Sequence, residues 1–260
     1  VSRPEDVARI REGLVAAAEA VRPFRPGSVE FRRKEVTGDP VTAADHAANV
    51  VLREILPREG EGWLSEESAD DPSRLEKRRV WVVDPIDGTR EFIEGIPEWC
   101  VSIGLVEDGT PVAGGIFNPI TDEMVVGSIE SGVTFNGAAA RVTSPNGGAK
   151  ITVLASRSEM RRGEWDAVKD PLLDVRACGS VAYKLGLVAA GRADATWTLV
   201  PKSEWDVAAG TALVRGAGGV ALLVDGAEPR FNKPRPKFPN YIAAGSAVAR
   251  RLLASLAGSP

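Results

Sequence analysis

The chain has 260 residues, 43% hydrophobic and 26% charged, with a formal net charge of -4 at pH 7. That balance excludes a disordered or fibrous protein, and the length is enough to bury a large core in one compact domain or in two closely packed halves. It also excludes the broad basic field that polymeric nucleic acid requires, since the richest cationic stretch, 233–237, is broken by prolines.

Over 4–21 the apolar residues Val7, Ile10, Leu14, Val15 and Ala18 recur at helical spacing, and prolines at 23 and 26 end the helix. The stretch 29–36 reads as a short strand leading to Gly38-Asp39-Pro40, after which Thr42 is placed to cap a helix reaching residue 56, with Asp45 in its first turn. Short strands are expected at 63–67, 80–83, 100–106, 112–117 and 123–128, and Asp108-Gly109 reads as a hairpin turn. A soft boundary falls at 137–148, where Asn, Ser, Pro and Gly accumulate. Beyond it strands and helices alternate: strand 151–155, helix 179–190, strand 193–199, helix 206–216, strands 220–223 and 241–244, and a terminal helix at 247–256.

Cys100 and Cys178 sit in apolar or Gly-rich surroundings without a CxxC partner, so they read as small buried residues in a reducing cytoplasm. Charges throughout residues 1–14 argue against a signal peptide in the chain as given, and no stretch approaches the roughly 18 apolar residues needed to span a bilayer. A soluble, cytoplasmic protein is the expectation.

The most informative segment is Asp84-Pro85-Ile86-Asp87-Gly88-Thr89, which follows the apolar run 80–83 and precedes the helix-compatible 90–93. Proline fixes one backbone angle and glycine permits an unusual one, so the two acidic side chains and the Ile86 carbonyl can turn toward one point. The Gly88 and Thr89 amides would then stand at a helix N-terminus, which favours an anion. A second acidic pair, Glu66-Glu67, follows a strand, and Asp206 opens a helix after Glu204-Trp205. If these carboxylates converge, they repel one another unless divalent cations neutralise them. An all-oxygen donor set suits Mg2+ or Mn2+ better than zinc, and with His46 as the sole histidine a histidine-based site is excluded. Taken singly, each has a plainer reading: Asp45 as a first-turn acid, Asp87-Gly88-Thr89 as a turn and cap, Glu66-Glu67 as a solvated pair, Asp206 as a helix-starting carboxylate.

Taken together, Asp39 to Asp45, Ser65-Glu66-Glu67-Ser68, Asp84 to Thr89 and Trp205-Asp206-Val207-Ala208-Ala209-Gly210 resemble, in order, the signature motifs of the inositol monophosphatase superfamily. The resemblance covers about 39–219. It implies a layered αβαβα sandwich of the α+β / α/β kind, with an N-terminal half (1–140) built on an antiparallel sheet and holding most metal ligands, and a C-terminal half (141–260) built on a mixed sheet and holding the last ligand and a substrate-specificity helix. Carried over to this chain, Glu66, Asp84 and the Ile86 carbonyl would hold one Mg2+ and Asp84, Asp87 and Asp206 a second, with Glu66 also serving a looser third ion and Mn2+ as the alternative metal. Asp45 would accept a hydrogen bond from Thr89, the pair activating water, while Gly88 and Thr89 amides grip the phosphoryl oxygens. The resemblance further implies phosphomonoester hydrolysis of a small phosphorylated metabolite, sensitivity to lithium, and compatibility with a homodimer.

Within the superfamily the motifs lean toward 3'(2'),5'-bisphosphate nucleotidases. Gly179 to Asp194 resembles the nucleotidase pattern in which a serine and a lysine approach the substrate, here Ser180 and Lys184, four residues apart on one helix face. Lys202 to Asp206 and Asp87 to Phe92 are similar to nucleotidase segments, and Leu199 stands where inositol monophosphatases commonly carry a ring-binding glutamate. A 3'-phosphoadenosine 5'-phosphate phosphatase is therefore the expectation. Gly95-Ile96-Pro97 resembles the inositol monophosphatase version of that loop. Alternatives are an inositol-1-monophosphatase, a fructose-1,6-bisphosphatase, or a catalytically silent metal-binding regulatory protein on the same scaffold; the intact Asp45 and Thr89 count against the last.

Overall fold

The computed structural model describes residues 2–35, 38–145 and 148–257. Its first half runs α1 (Arg3–Val21), β1 (Phe31–Arg33), β2 (Pro40–Thr42), α2 (Ala43–Ile55), β3 (Gly62–Ser65), a 3-10 turn (Pro72–Glu76), β4 (Arg79–Asp87), α3 (Thr89–Glu94), β5 (Cys100–Glu107), β6 (Thr110–Asn118), β7 (Glu123–Ser128), β8 (Gly132–Phe135) and β9 (Ala138–Ala140). The second runs β10 (Ile151–Ser156), α4 (Arg157–Arg161), β11 (Leu173–Cys178), α5 (Val181–Ala189), β12 (Ala195–Thr198), β13 (Lys202–Ser203), α6 (Glu204–Gly216), β14 (Val220–Leu222), β15 (Lys237–Phe238), β16 (Tyr241–Ala244) and α7 (Ser246–Ala257).

A seven-stranded sheet, ordered β3-β4-β5-β6-β7-β8-β9, is antiparallel except for the β3–β4 pair. A five-stranded sheet, ordered β11-β10-β12-β16-β14, is parallel across its first three strands and antiparallel beyond. Side chains alternate across a strand, so β4 sends Trp81 and Val83 into one core with Ile10 and Leu14 of α1 and Leu52 of α2, and Val80 and Val82 into another with α5 and α6. A third core joins the outer face of the second sheet to α7 through Trp197, Ile242, Val248 and Leu252. The layers are thus α1–α2, sheet, α5–α6, sheet, α7, which is the expected αβαβα sandwich.

Two glycines set how close α6 lies to the first sheet. A Cβ at Gly104 would sit 2.8 Å from both Ala208 Cβ and the Ala209 amide nitrogen, and one at Gly114 would sit 2.6 Å from the Ala209 carbonyl oxygen. The strand that carries Asp84 is anchored at its other end, where Arg79 donates to Asp6 Oδ1 at 2.5 Å and to Glu61 Oε1 at 2.9 Å.

Several expected elements differ in extent. The strand expected at 29–36 is reduced to Phe31–Arg33, exposed and, among the described residues, paired only with β2; residue 36 lies outside the described residues. β4 continues past Pro85 to Asp87, with its register to β5 shifting between Asp84 and Asp87, so the two acids stand on an irregular strand end and the turn begins at Gly88. Within the soft boundary, β9 occupies Ala138–Ala140, while residues 146–147 lie outside the described residues. Several short elements had no expectation: β2, the 3-10 turn, β8, β9, α4, β11, β13 and β15, each of two to six residues and too short to carry a clear periodic pattern.

Candidate metal centre and active site

Asp84 and Asp87 come from the end of β4 and Asp206 from the first turn of α6. Their carboxylate oxygens lie within 4.8 Å of one another. Asp84 is 1% exposed and Asp87 8%. Burial raises the Asp84 pKa well above the usual carboxylate range, and the nearby Glu66, Asp87 and Asp206 raise it further. Burial, then Asp87 and Glu66, push Asp206 up to about 8. Burial raises Asp87 too, opposed by hydrogen bonds from Ser180 and Ala182 and by the charge of Lys184. Oxygen donors of one sign, crowded and largely buried, are stabilised by a divalent cation, so these residues fit Mg2+.

Glu66 follows β3, and its charge is among those that raise the Asp84 pKa. Its Oε1 accepts from Lys34 Nζ at 2.7 Å, and Glu67 Oε1 accepts from the same ammonium at 2.5 Å. Burial pulls the Lys34 pKa down, but the two glutamates more than offset this and raise it. Lys34 had no sequence expectation; its only signal is a lysine shortly before Gly38-Asp39-Pro40.

Asp45 does two things at once. Its Oδ2 closes the capping box of α2, accepting from the Thr42 amide at 2.8 Å and from Thr42 Oγ1 at 2.7 Å, while its Oδ1 faces Thr89 Oγ1 at 3.2 Å. Burial raises the Asp45 pKa against these hydrogen bonds. Thr89 Oγ1 also lies 3.1 Å from the Ile86 carbonyl, sharing one proton between two acceptors. Gly88 precedes α3 with φ +99°, and a Cβ there would lie 3.0 Å from the Glu98 carbonyl oxygen, so only glycine fits this turn. His46 is exposed on α2.

These residues line a cavity of about 490 Å³ that includes Glu66, Asp84, Ile86, Asp87, Gly88, Thr89, Ser180, Lys184 and Asp206. Ser180 and Lys184 are buried in its wall. The Ser180 hydroxyl donates to Asp87 Oδ2 at 2.7 Å, and Lys184 Nζ donates to the Ser180 carbonyl at 2.7 Å and to the Cys178 carbonyl at 3.4 Å. Further cations on the wall come from Arg90, Arg162, Lys202 and Lys237; Lys202 also contacts the buried Glu159, Nζ to Oε1 at 3.2 Å. Leu199 is 58% exposed and lines a neighbouring, mainly apolar cavity of about 820 Å³ that contains none of the clustered aspartates.

A layered sandwich that gathers aspartates from the end of β4 and the start of α6 at one wall of this cavity has the arrangement of a metal-dependent phosphomonoester hydrolase. The sequence profile described as "Inositol monophosphatase family" matches residues 4–258. The chain belongs to that family. It is 34% identical over 232 residues to an inositol-1-monophosphatase of Mesorhizobium japonicum, covering 86% of this chain and 84% of that protein. It is 31% identical over 257 residues to a 3'-phosphoadenosine 5'-phosphate phosphatase of Mycobacterium leprae, covering 95% and 92%. The structure of inositol monophosphatase from Anabaena superposes with a TM-score of 0.79 at 27% identity, covering 98% of this chain and 96% of that one. Inositol monophosphatase names recur among the relatives, so the nucleotidase expected from the helix motif is one relative among several and is not singled out. Among the described residues, no helix is long and apolar enough to cross a membrane.

Proposed function

We propose that this phosphatase uses Mg2+ to hydrolyse a small polyhydroxylated phosphate monoester, with inositol 1-phosphate as the first candidate. The observation that carries the chemistry is the cluster of Asp84, Asp87 and Asp206. The names of the relatives support the substrate class.

Asp84, Asp87 and Asp206, with Glu66 and the Ile86 carbonyl beside them, would hold two or three ions. When bound, such ions supply the charge neutralisation and nucleophile activation that phosphoryl transfer needs. Thr89 lines the cavity with its hydroxyl proton shared between Asp45 and the Ile86 carbonyl, leaving its lone pairs to accept from a water. Asp45 lies behind it, with the basicity that burial gives, as the place for the proton that water loses. The Gly88 and Thr89 amides are the donors for the phosphoryl oxygens.

A second reading, a bisphosphorylated nucleotide, is favoured by one feature: Lys202 and Lys237 occupy neighbouring strands, β13 and β15, and both line the cavity with Arg162. Such a wall suits a second phosphate. Phosphate release with Mg2+ from inositol 1-phosphate, 3'-phosphoadenosine 5'-phosphate and fructose 1,6-bisphosphate, each with and without lithium, separates the two. The proposal expects the highest kcat/KM on inositol 1-phosphate and inhibition by lithium. A preference of tenfold or so for the nucleotide, about 1.4 kcal/mol, would instead assign the cationic wall to the second phosphate.

A further inference from the structure

We propose that Ser180 is a positioning residue for Asp87, fixing one carboxylate oxygen so that the other is presented to a cation; this rests on the metal reading above. Among the described residues, both hydrogen bonds that Asp87 receives fall on Oδ2, one from Ser180 Oγ at 2.7 Å and a short one from the Ala182 amide. Two donors converging on one oxygen fix the carboxylate's rotation and leave Oδ1 as the ligating atom.

The backbone shows what this placement costs. Ser180 is a non-glycine residue with φ +53° and ψ 131°, a conformation that favours glycine, and it stands at the site rather than in a surface turn. The turn is held from three sides: Lys184 Nζ donates to the Ser180 carbonyl at 2.7 Å, the Gly179 amide donates to Glu98 Oε2 at 2.7 Å, and Cys100 Sγ lies 3.5 Å from Ser180 Oγ. Ser180 also caps α5, its Oγ accepting from the Tyr183 amide at 2.9 Å. Capping requires only an acceptor at that place. The hydroxyl's single proton goes to Asp87, which makes Ser180 a link between α5 and the metal ligand, and Lys184 the lock on that link.

The test compares Ser180→Ala with Ser180→Gly. Both lack the hydroxyl, but glycine relieves the backbone and alanine does not. Mg2+ is titrated calorimetrically into metal-stripped protein without substrate, and melting without Mg2+ and kcat and KM at saturating Mg2+ are recorded alongside. The expected result is a Mg2+ dissociation constant raised by roughly 10-fold or more in both variants, although their melting temperatures differ. Unchanged Mg2+ affinity with altered melting alone would reduce Ser180 to a helix cap and overturn the proposal. A raised KM with unchanged Mg2+ affinity would overturn it in favour of a substrate contact. A wild-type protein that binds no Mg2+ overturns the metal reading itself, whereas wild-type binding matched by both variants overturns the positioning role alone.

Discussion

Asp84→Asn is expected to lower phosphate release by about three orders of magnitude while the metal-free protein stays folded and at least as heat-stable as the parent. Asp84 is 1% exposed and is the residue on which Glu66, Asp87 and Asp206 all act. Replacing its carboxylate by an amide of the same shape removes a buried group whose ionisation its surroundings already oppose, so without cations the fold loses nothing. The same change removes an anionic oxygen donor from the centre of the cluster, so cation binding and turnover fall together. Measuring turnover at saturating Mg2+ and melting in chelator separates these effects. A variant with parental activity, or one that loses activity only because it unfolds, contradicts the assignment.

Gly114→Val is expected to destabilise the protein by about 3 kcal/mol and to lower its melting temperature by roughly 6–12 °C. A Cβ there would lie 2.6 Å from the Ala209 carbonyl oxygen and 2.9 Å from Ala209 Cα, both backbone atoms that no rotamer change can move. The helix must leave the sheet, and Asp206 at its N-terminus moves with it. Reduced Mg2+ affinity in the fraction that still folds is the second expected result. Melting within about 2 °C of the parent would mean that α6 does not lie on β6 as described.

How much was legible in the sequence differs along the chain. Asp84 to Thr89 could be read from local chemistry, because a proline, a glycine and a preceding apolar strand restrict that backbone; only the extent of β4 through Asp87 departed from it. The long helices α1, α2 and α6 were legible because each buries one face or nearly all of itself. Convergence of Asp206 with Asp84 was legible only through family resemblance. Physically it depends on Gly104 and Gly114 letting α6 approach, and nothing in a strand's own pattern says which helix will lie on it. Edge strands β9 and β11 escaped because their side chains are small or face solvent. Ser180 and Lys184 could be placed on one helix, but the positive φ of Ser180 and the turning of Lys184 onto two carbonyls are tertiary facts. The substrate is the least legible, because the cavity mixes acidic and basic groups contributed by strands, helices and loops far apart in the chain.

The most direct test of the central claim is phosphate release from inositol 1-phosphate by protein stripped with chelator, followed by stepwise return of Mg2+. The account predicts no release above background in the stripped protein and recovery with saturable dependence on Mg2+. Full activity after stripping, or none at any Mg2+ concentration on any phosphate ester of the panel, would contradict it.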